Sequence, residues 1–222
     1  MKQLSHDNNF VYLCGALVAL LFSASLVQTF SGTWGEDFFS LVTLVMLILS
    51  IKSIHTDHSW KRIVFVLIGI VFCVTVLAKL FALSYVSYVI LGALLFFFVG
   101  SFWTAYKQIL FEGEVDSNKM IGSLSLYLLL GLIWTVMYLI ILQLDPQAFS
   151  GIDAGNWKQN FAQVAYYSFV TLTTLGYGDI LPVNKVAQFF VSMEAIIGVF
   201  YMAIIVSSLI SLRLAALNKK EK

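Results

Sequence analysis

The chain has 222 residues, a net charge of +1, 60% hydrophobic residues and only 11% charged residues. A soluble domain of this size carries about 25% charged residues, so the polar side chains are too few to cover a water-soluble globule. The small net charge gives no reason to expect nucleic acid as a partner, and the mean hydropathy of +0.90 predicts an integral membrane protein surrounded by lipid.

Six apolar runs are long enough, as helices, to cross a hydrocarbon core about 30 Å thick. They cover residues 10–28, 38–54, 63–78, 85–106, 124–144 and 186–212. The first run has the alternative interpretation of a cleaved signal peptide, but it is longer than the usual apolar region of such a peptide. We therefore expect a retained helix.

The distribution of positive charges predicts the orientation of these runs in the membrane. With a cytoplasmic N-terminus, ten of the 13 Lys and Arg residues fall in inner segments and three in outer segments. This asymmetry predicts a multi-pass protein of the cell membrane (a plasma or inner membrane) with both termini cytoplasmic.

A polar break at 107–123 divides the chain into a four-helix membrane domain, 1–120, and a second domain, 121–222. The fourth run has no Lys, Arg, Asp or Glu, so we expect no charged voltage sensor.

Signals for catalysis or metal binding are weak. The two cysteines, Cys14 and Cys73, lie inside apolar runs, where buried inert thiols are expected. His55 and His58 flank Asp57 in a segment that is typical of a surface loop rather than a metal site. No Ser-His-Asp set, phosphate loop or metal-ligand spacing appears, so we expect neither an enzyme nor a bound cofactor.

The segment between the last two runs does not have the composition of a solvated loop. Residues 161–173 are apolar and aromatic but too short to cross a bilayer, which is typical of a buried or re-entrant segment. The Gly-x-Gly sequence that follows, Gly176 to Gly178, permits backbone angles closed to other residues. Successive carbonyl oxygens can then point to one axis and replace the water shell of a cation.

Residues 173–179, TTLGYGD, resemble the selectivity-filter signature of potassium channels. The one departure is Leu175, where the family usually has Val or Ile, and this leaves conductance and inactivation more in doubt than selectivity. The whole chain resembles the sensor-less six-span bacterial potassium channels. That resemblance implies an all-α membrane protein with six transmembrane helices, and a re-entrant pore helix and selectivity filter between the fifth and sixth.

The resemblance also implies roles for individual residues. Potassium is coordinated by the backbone carbonyls of Thr174, Leu175, Gly176 and Tyr177 and by the Thr174 hydroxyl, with the Gly178 carbonyl at the outer mouth. A supporting layer behind the filter comprises Tyr166, Tyr167, Thr173 and Asp179, and one of the two tyrosines is expected to donate a hydrogen bond to Asp179. The alternative for the tyrosines is that both are interfacial aromatic residues.

The last run carries the candidate gate. Gly198 follows Thr174 by 24 residues, and the resemblance implies a hinge there; close packing against a neighbouring helix is an equal alternative. On α-helical spacing, Val199, Met202 and Val206 form one stripe that lines an apolar cavity.

Glu194 is the acidic residue well inside a span. Such groups are costly in a membrane and functional by default. We expect it to face the pore helix and to bond a hydroxyl of Tyr167, Ser168 or Thr171. A structural hydrogen bond is favoured over a pH-sensing role.

Taken together, these observations predict a subunit that conducts K⁺ passively as a homotetramer in contact with membrane lipid, with an unidentified regulatory partner possible. The alternative is a non-conducting or regulatory membrane subunit that keeps a pore loop. A potassium-uptake transporter is disfavoured, because those resemble four fused repeats with degraded filters, whereas this chain has a single nearly intact one.

Overall fold

A computed structural model describes residues 9–27, 33–53, 58–81, 85–111, 117–153, 155–208, 210, 211 and 214. Within them the chain is helical, as the apolar runs predict. The α-helices are α1 (Asn9–Leu26), α2 (Thr33–Ser53), α3 (His58–Phe81), α4 (Val86–Phe111), α5 (Ser117–Leu144), α6 (Trp157–Leu172) and α7 (Lys185–Phe200). A π-helix, Tyr201–Val206, continues α7. Two short strands, β1 (Phe149–Ser150) and β2 (Leu181–Pro182), pair antiparallel.

Each of the six predicted apolar runs lies on a separate helix; the predicted ends at residues 28, 54 and 212 lie outside the described residues. Among the described residues, three helical stretches are long and apolar enough to cross a membrane: Val86–Phe111, Asn118–Leu144 and Lys185–Val206. Two further apolar stretches are shorter, Phe10–Leu26 and Arg62–Val71. A topology of six spans stays a prediction.

Helix α5 lies at the centre of the described structure, in contact with α1, α4 and α6. Its sequence is apolar on every face, and a helix of that kind is buried by other helices or by lipid. Here its own chain buries 67% of the residues in its most apolar stretch. The fully buried side chains include Leu126, Leu129, Leu132 and Val136.

Polar contacts fix the two ends of α5 to the N-terminal helices. The Phe10 N–H of α1 donates to Asn118 Oδ1 over 3.2 Å, and the Tyr88 hydroxyl of α4 donates to the Gln143 carbonyl over 2.8 Å. The N-terminal helices therefore pack directly against the C-terminal part of the chain.

The entrance and exit of the segment between α5 and α7 are tied together. Beyond the β1–β2 pair, the Val183 N–H donates to the Ala148 carbonyl over 2.8 Å. Asn184 caps α7 by accepting the Ala187 N–H over 2.7 Å, while its amide donates to Asp145 Oδ2 over 2.7 Å. Helix α6 and the segment after it are held between the two long helices.

Candidate functional site

Helix α6 is the short helix that the apolar run at 161–173 predicts, but it begins four residues earlier. Its N-cap is Asn156, whose Oδ1 accepts the N–H groups of Lys158 and Gln159 over 2.9 and 3.0 Å. The Gln159 side chain in turn accepts the Asn156 N–H, which completes a capping box. The sequence contains the pattern of a capping box, because Asn156 lies three residues before Gln159.

The residues after α6 form an extended return segment, Thr173–Asp179. Thr174, Gly176 and Gly178 have φ angles of 59°, 55° and 81°, whereas Leu175 and Tyr177 between them do not have positive φ. When the φ angle alternates between positive and negative values from one residue to the next, every second peptide plane is turned over, and successive carbonyl oxygens come to one side. Glycine adopts such angles freely. For Thr174 the left-handed conformation costs about 1–2 kcal/mol.

The backbone N–H groups at the start of the return segment point back at α6. Those of Leu175 and Gly176 both donate to the Val170 carbonyl, over 2.9 and 3.3 Å, and that of Thr174 donates to Thr171 over 2.9 Å. No hydrogen bond between described residues uses the carbonyl oxygens of 174–177. The segment therefore has free acceptors on one side, and its position depends on the end of α6.

The side chains of the return segment are exposed in the single chain, with Leu175 55% and Tyr177 66% exposed. The Tyr177 ring stacks on Tyr166 at 6.4 Å with an interplanar angle of 10°. The Tyr166 hydroxyl donates to Asp179 Oδ2 over 2.8 Å, which is the tyrosine–aspartate hydrogen bond that the resemblance implies.

The neighbouring Tyr167 has a different environment. It is 5% exposed and its ring lies 5.6 Å from that of Tyr138 and 5.5 Å from that of Phe149. The two tyrosines thus divide between two roles: Tyr166 contacts the return segment, and Tyr167 belongs to an aromatic core between α5, β1 and α6.

Glu194 is completely buried at the meeting point of α5, α6 and α7. Its Oε1 lies 2.6 Å from the Ser168 hydroxyl oxygen, and its Oε2 accepts from the Tyr138 hydroxyl over 2.5 Å. The bond to Ser168 is among those expected for this residue. The bond to Tyr138 was missed, because 56 residues separate the two positions and no local pattern connects them.

Ser168 adds a constraint on this cluster. Its hydroxyl also lies 2.9 Å from the Gly131 carbonyl, so two acceptors surround a group that carries one hydrogen. A neutral Glu194 satisfies every contact, since its own O–H donates to Ser168 and leaves the Ser168 hydrogen for Gly131. A neutral carboxyl is also the cheaper form to bury without a cationic partner.

Comparison with known families gives one match. Residues 123–213 match the family model described as ion channel. This part of the chain is therefore similar to ion channel domains. The match begins in the second turn of α5 and extends beyond the π-helix, and it contains the return segment and all the candidate site residues. Comparison with curated proteins and with solved structures gave no match.

Within the matched region, Gly198 packs tightly against the end of α6. It is buried, and a Cβ placed on it would lie 2.2 Å from the Leu172 carbonyl oxygen. A glycine is therefore needed for the close approach of α7 to α6, which supports the packing interpretation. The hinge interpretation stays a prediction.

The residues of the predicted cavity stripe differ in exposure, and their role in lining a cavity stays a prediction. Val199 and Met202 are both 53% exposed, but Val206 is half-buried and packs against the core. The stripe assumed α-helical spacing, whereas Tyr201–Val206 is a π-helix with i to i+5 hydrogen bonds. A π-helix turns less per residue, so the α-helical spacing that defined the stripe does not apply beyond Tyr201. Residues 201–206 include no proline that would have predicted this change.

Proposed function

We propose that the chain is one subunit of a potassium-selective channel that conducts K⁺ passively across the cell membrane. The observation that carries this proposal is the return segment, in which alternating dihedral angles and unpaired carbonyl oxygens fall on the signature-like residues 174–177. The oxygens of Thr174, Leu175, Gly176 and Tyr177 would replace the hydration shell of the ion.

Four copies of the chain are needed for this function. Each chain supplies one return segment, and a ring of carbonyl ligands around an axis requires several. The exposure of the return segment and of α7 supports such an assembly. In the most apolar part of the stretch Lys185–Val206, only 17% is buried by its own chain. We propose a homotetramer with α7 nearest the axis.

The supporting layer fits the same function. The Tyr166–Asp179 hydrogen bond and the Tyr166–Tyr177 stack hold the outer end of the return segment. The Glu194 cluster holds α7 against the middle of α6. Leu175 keeps the backbone carbonyl that coordination requires, so the change from Val or Ile affects packing behind the filter rather than the number of ligands.

We propose that six helices, α1 to α5 and α7, span the membrane, with α6 re-entrant and both termini cytoplasmic. The distribution of Lys and Arg supports this orientation. Residues 85–106, in the fourth span, have no ionisable Lys, Arg, Asp or Glu side chain. Gating by movement of a charged fourth helix is therefore not part of the proposal.

The proposal is tested by ion flux into liposomes that contain the purified tetramer. We expect uptake of K⁺ and Rb⁺ down an imposed gradient, with little uptake of Na⁺. Lipid vesicles without protein control for leak, and a K⁺ ionophore added at the end shows that the vesicles are intact. Intact tetramers that carry no K⁺ would contradict the proposal and support the alternative of a non-conducting membrane subunit.

A further inference from the structure

The N-terminal end of α2 contacts the N-terminal end of α6 in the matched region. Glu36 Oε1 accepts one hydrogen bond from Asn156 Nδ2 over 2.8 Å and a second from Gln159 Nε2 over 3.1 Å. One carboxylate from the N-terminal half of the chain therefore bonds two side chains of the pore loop, 120 and 123 residues further along.

These two side chains are the ones that form the capping box of α6. The oxygen atoms of the Asn156 and Gln159 amides accept backbone N–H groups, and their NH₂ groups donate to Glu36. Glu36 therefore fixes which way both amides point, because each amide has its two ends engaged. A carboxylate at this place is also favoured by the positive end of the α6 dipole.

An apolar contact lies one turn further along α2. Phe39 is 1% exposed, and its ring lies 5.0 Å from that of Phe161 and 6.4 Å from that of Trp157. Next to it, Ser40 Oγ accepts from Lys158 Nζ over 3.0 Å. Spacings of three and four residues place Glu36, Phe39 and Ser40 on one face of α2. We call these three residues the α2 clamp.

Helix α6 connects this clamp to the return segment. It has 16 residues and is about 24 Å long. Its first turn is held by the α2 clamp, and the Val170 carbonyl in its last turn accepts the N–H groups of Leu175 and Gly176. A tilt of the helix at its first turn therefore moves the return segment at the other end, since a helix transmits displacement as a rigid body.

We propose that the α2 clamp positions α6, and that the N-terminal helices act on the conducting state of the return segment through it. Glu36 is the positioning residue. This inference rests on the proposed function, because it assigns to the first helices a role in the channel that the pore loop forms. A movement of α2 would displace the filter through this contact.

The test compares Glu36→Ala with Asp37→Ala in the full-length tetramer. Asp37 is adjacent and exposed, and no hydrogen bond between described residues engages its carboxylate. Both variants remove one negative charge from the same helix end, so changes in local ion concentration are matched. We expect Glu36→Ala to lower the open probability about fivefold, as loss of about 1 kcal/mol would, and Asp37→Ala to match the wild type.

An exchange of partners provides the rescue. Asn156→Asp keeps a good N-cap but places a second carboxylate against Glu36, so we expect it to lower the open probability more than Glu36→Ala. Adding Glu36→Gln to Asn156→Asp lets the new amide donate to the new carboxylate and restores the wild-type net charge. We expect the double variant to recover at least half of the wild-type open probability.

A second readout separates positioning from general stability. Potassium bound at the filter should raise the heat stability of the tetramer, and a displaced filter should need a higher K⁺ concentration for half of that protection. We expect Glu36→Ala to raise this concentration about fivefold and Asp37→Ala to leave it unchanged. If the wild type conducts K⁺ but Glu36→Ala and Asp37→Ala give the same result in both readouts, the proposed role of the α2 clamp is contradicted. If the wild type neither conducts K⁺ nor gains stability from it, the proposed channel function itself is contradicted.

Discussion

The two long helices that flank the pore loop differ in how much of their surface their own chain covers. In α5, 67% of the most apolar stretch is buried, whereas in α7 with its π-helix the value is 17%. Their hydropathies are nearly equal, at 2.3 and 2.2, so composition does not explain the difference. The chain completes the environment of α5 with α1, α4 and α6 and leaves most of α7 to be covered from outside.

The same difference divides the pore loop. The aromatic core of Tyr138, Phe149 and Tyr167 is complete within one chain. The return segment Thr173–Asp179 is exposed along its whole length. On the proposed function, support for the filter is built within each subunit, and the ion ligands are assembled between subunits. Substitutions should follow that division: changes in the return segment act on conduction, and changes in the buried core act on stability.

The largest effect is expected at Gly176. A Cβ there meets no atom of the same chain within 4 Å, but the φ angle is +55°, and an L residue loses about 1–2 kcal/mol in that conformation. In a tetramer the four copies together lose about 4–8 kcal/mol. We expect Gly176→Ala to abolish K⁺ flux while tetramers still form. Gly15→Ala, which also meets no atom within 4 Å and has no positive φ, is the control and should conduct normally. Normal flux in Gly176→Ala would show that conduction does not depend on the left-handed conformation of the return segment.

The second effect is expected at Glu194, in the buried cluster. Glu194→Ala leaves the Tyr138 hydroxyl without its acceptor and the Ser168 hydroxyl without the donor that Glu194 provides, and each such loss costs about 1–3 kcal/mol. Thermal unfolding of the tetramer should report this. Glu194→Gln keeps a donor and an acceptor, so we expect most of the stability to return, and Ser192→Ala on the exposed face of α7 should have no effect. A Glu194→Gln variant as unstable as Glu194→Ala would show that the carboxylate is needed in its charged form.

The packing and hinge interpretations of Gly198 predict opposite changes in stability for Gly198→Ala. Because its added Cβ would lie 2.2 Å from the Leu172 carbonyl, we expect Gly198→Ala to destabilise the tetramer by about 1–3 kcal/mol, the usual range for overpacking. A glycine that serves only as a hinge predicts the opposite sign, since alanine favours a helix by about 1 kcal/mol. Gly92→Ala, where a Cβ meets nothing within 4 Å, provides the control and should stabilise the protein slightly.

The smallest effect is expected at Tyr166. Tyr166→Phe keeps the ring that stacks on Tyr177 but removes the hydroxyl that donates to Asp179, and this costs about 0.5–1.5 kcal/mol. We expect the decay of the K⁺ current during sustained opening to change severalfold, with tetramer stability hardly altered. Tyr85→Phe, at a position that is 77% exposed, should leave the decay unchanged. Equal decay in both variants would remove Tyr166 from the supporting layer.

Much of the fold and of the pore loop could be predicted because the signals are local. Each apolar run became one helix, since length and hydropathy decide where a helix can cross lipid. The placement of the return segment after a short apolar helix followed from the chain order around Thr174–Asp179. The start of α6 at Trp157 was also within reach, since Asn156 and Gln159 form a recognisable capping pair.

The remaining features depend on contacts between distant residues. Tyr138 meets Glu194, and Glu36 meets Asn156, across 56 and 120 positions, and periodicity along the chain carries no information about such pairs. The π-helix at Tyr201–Val206 has neither a proline nor a glycine inside it. The α-helical spacing that the predicted stripe assumed therefore ends at Tyr201, and the role of Val199, Met202 and Val206 in lining a cavity stays a prediction.

Potassium selectivity of the return segment is best measured as the reversal potential of single tetramers in a planar bilayer, with K⁺ on one side and Na⁺ on the other. A pore lined by the carbonyls of residues 174–177 predicts a reversal potential close to the potassium equilibrium value, and no current from Gly176→Ala tetramers. A reversal potential near zero would mean that Na⁺ passes as readily as K⁺, and it would contradict the account of the filter.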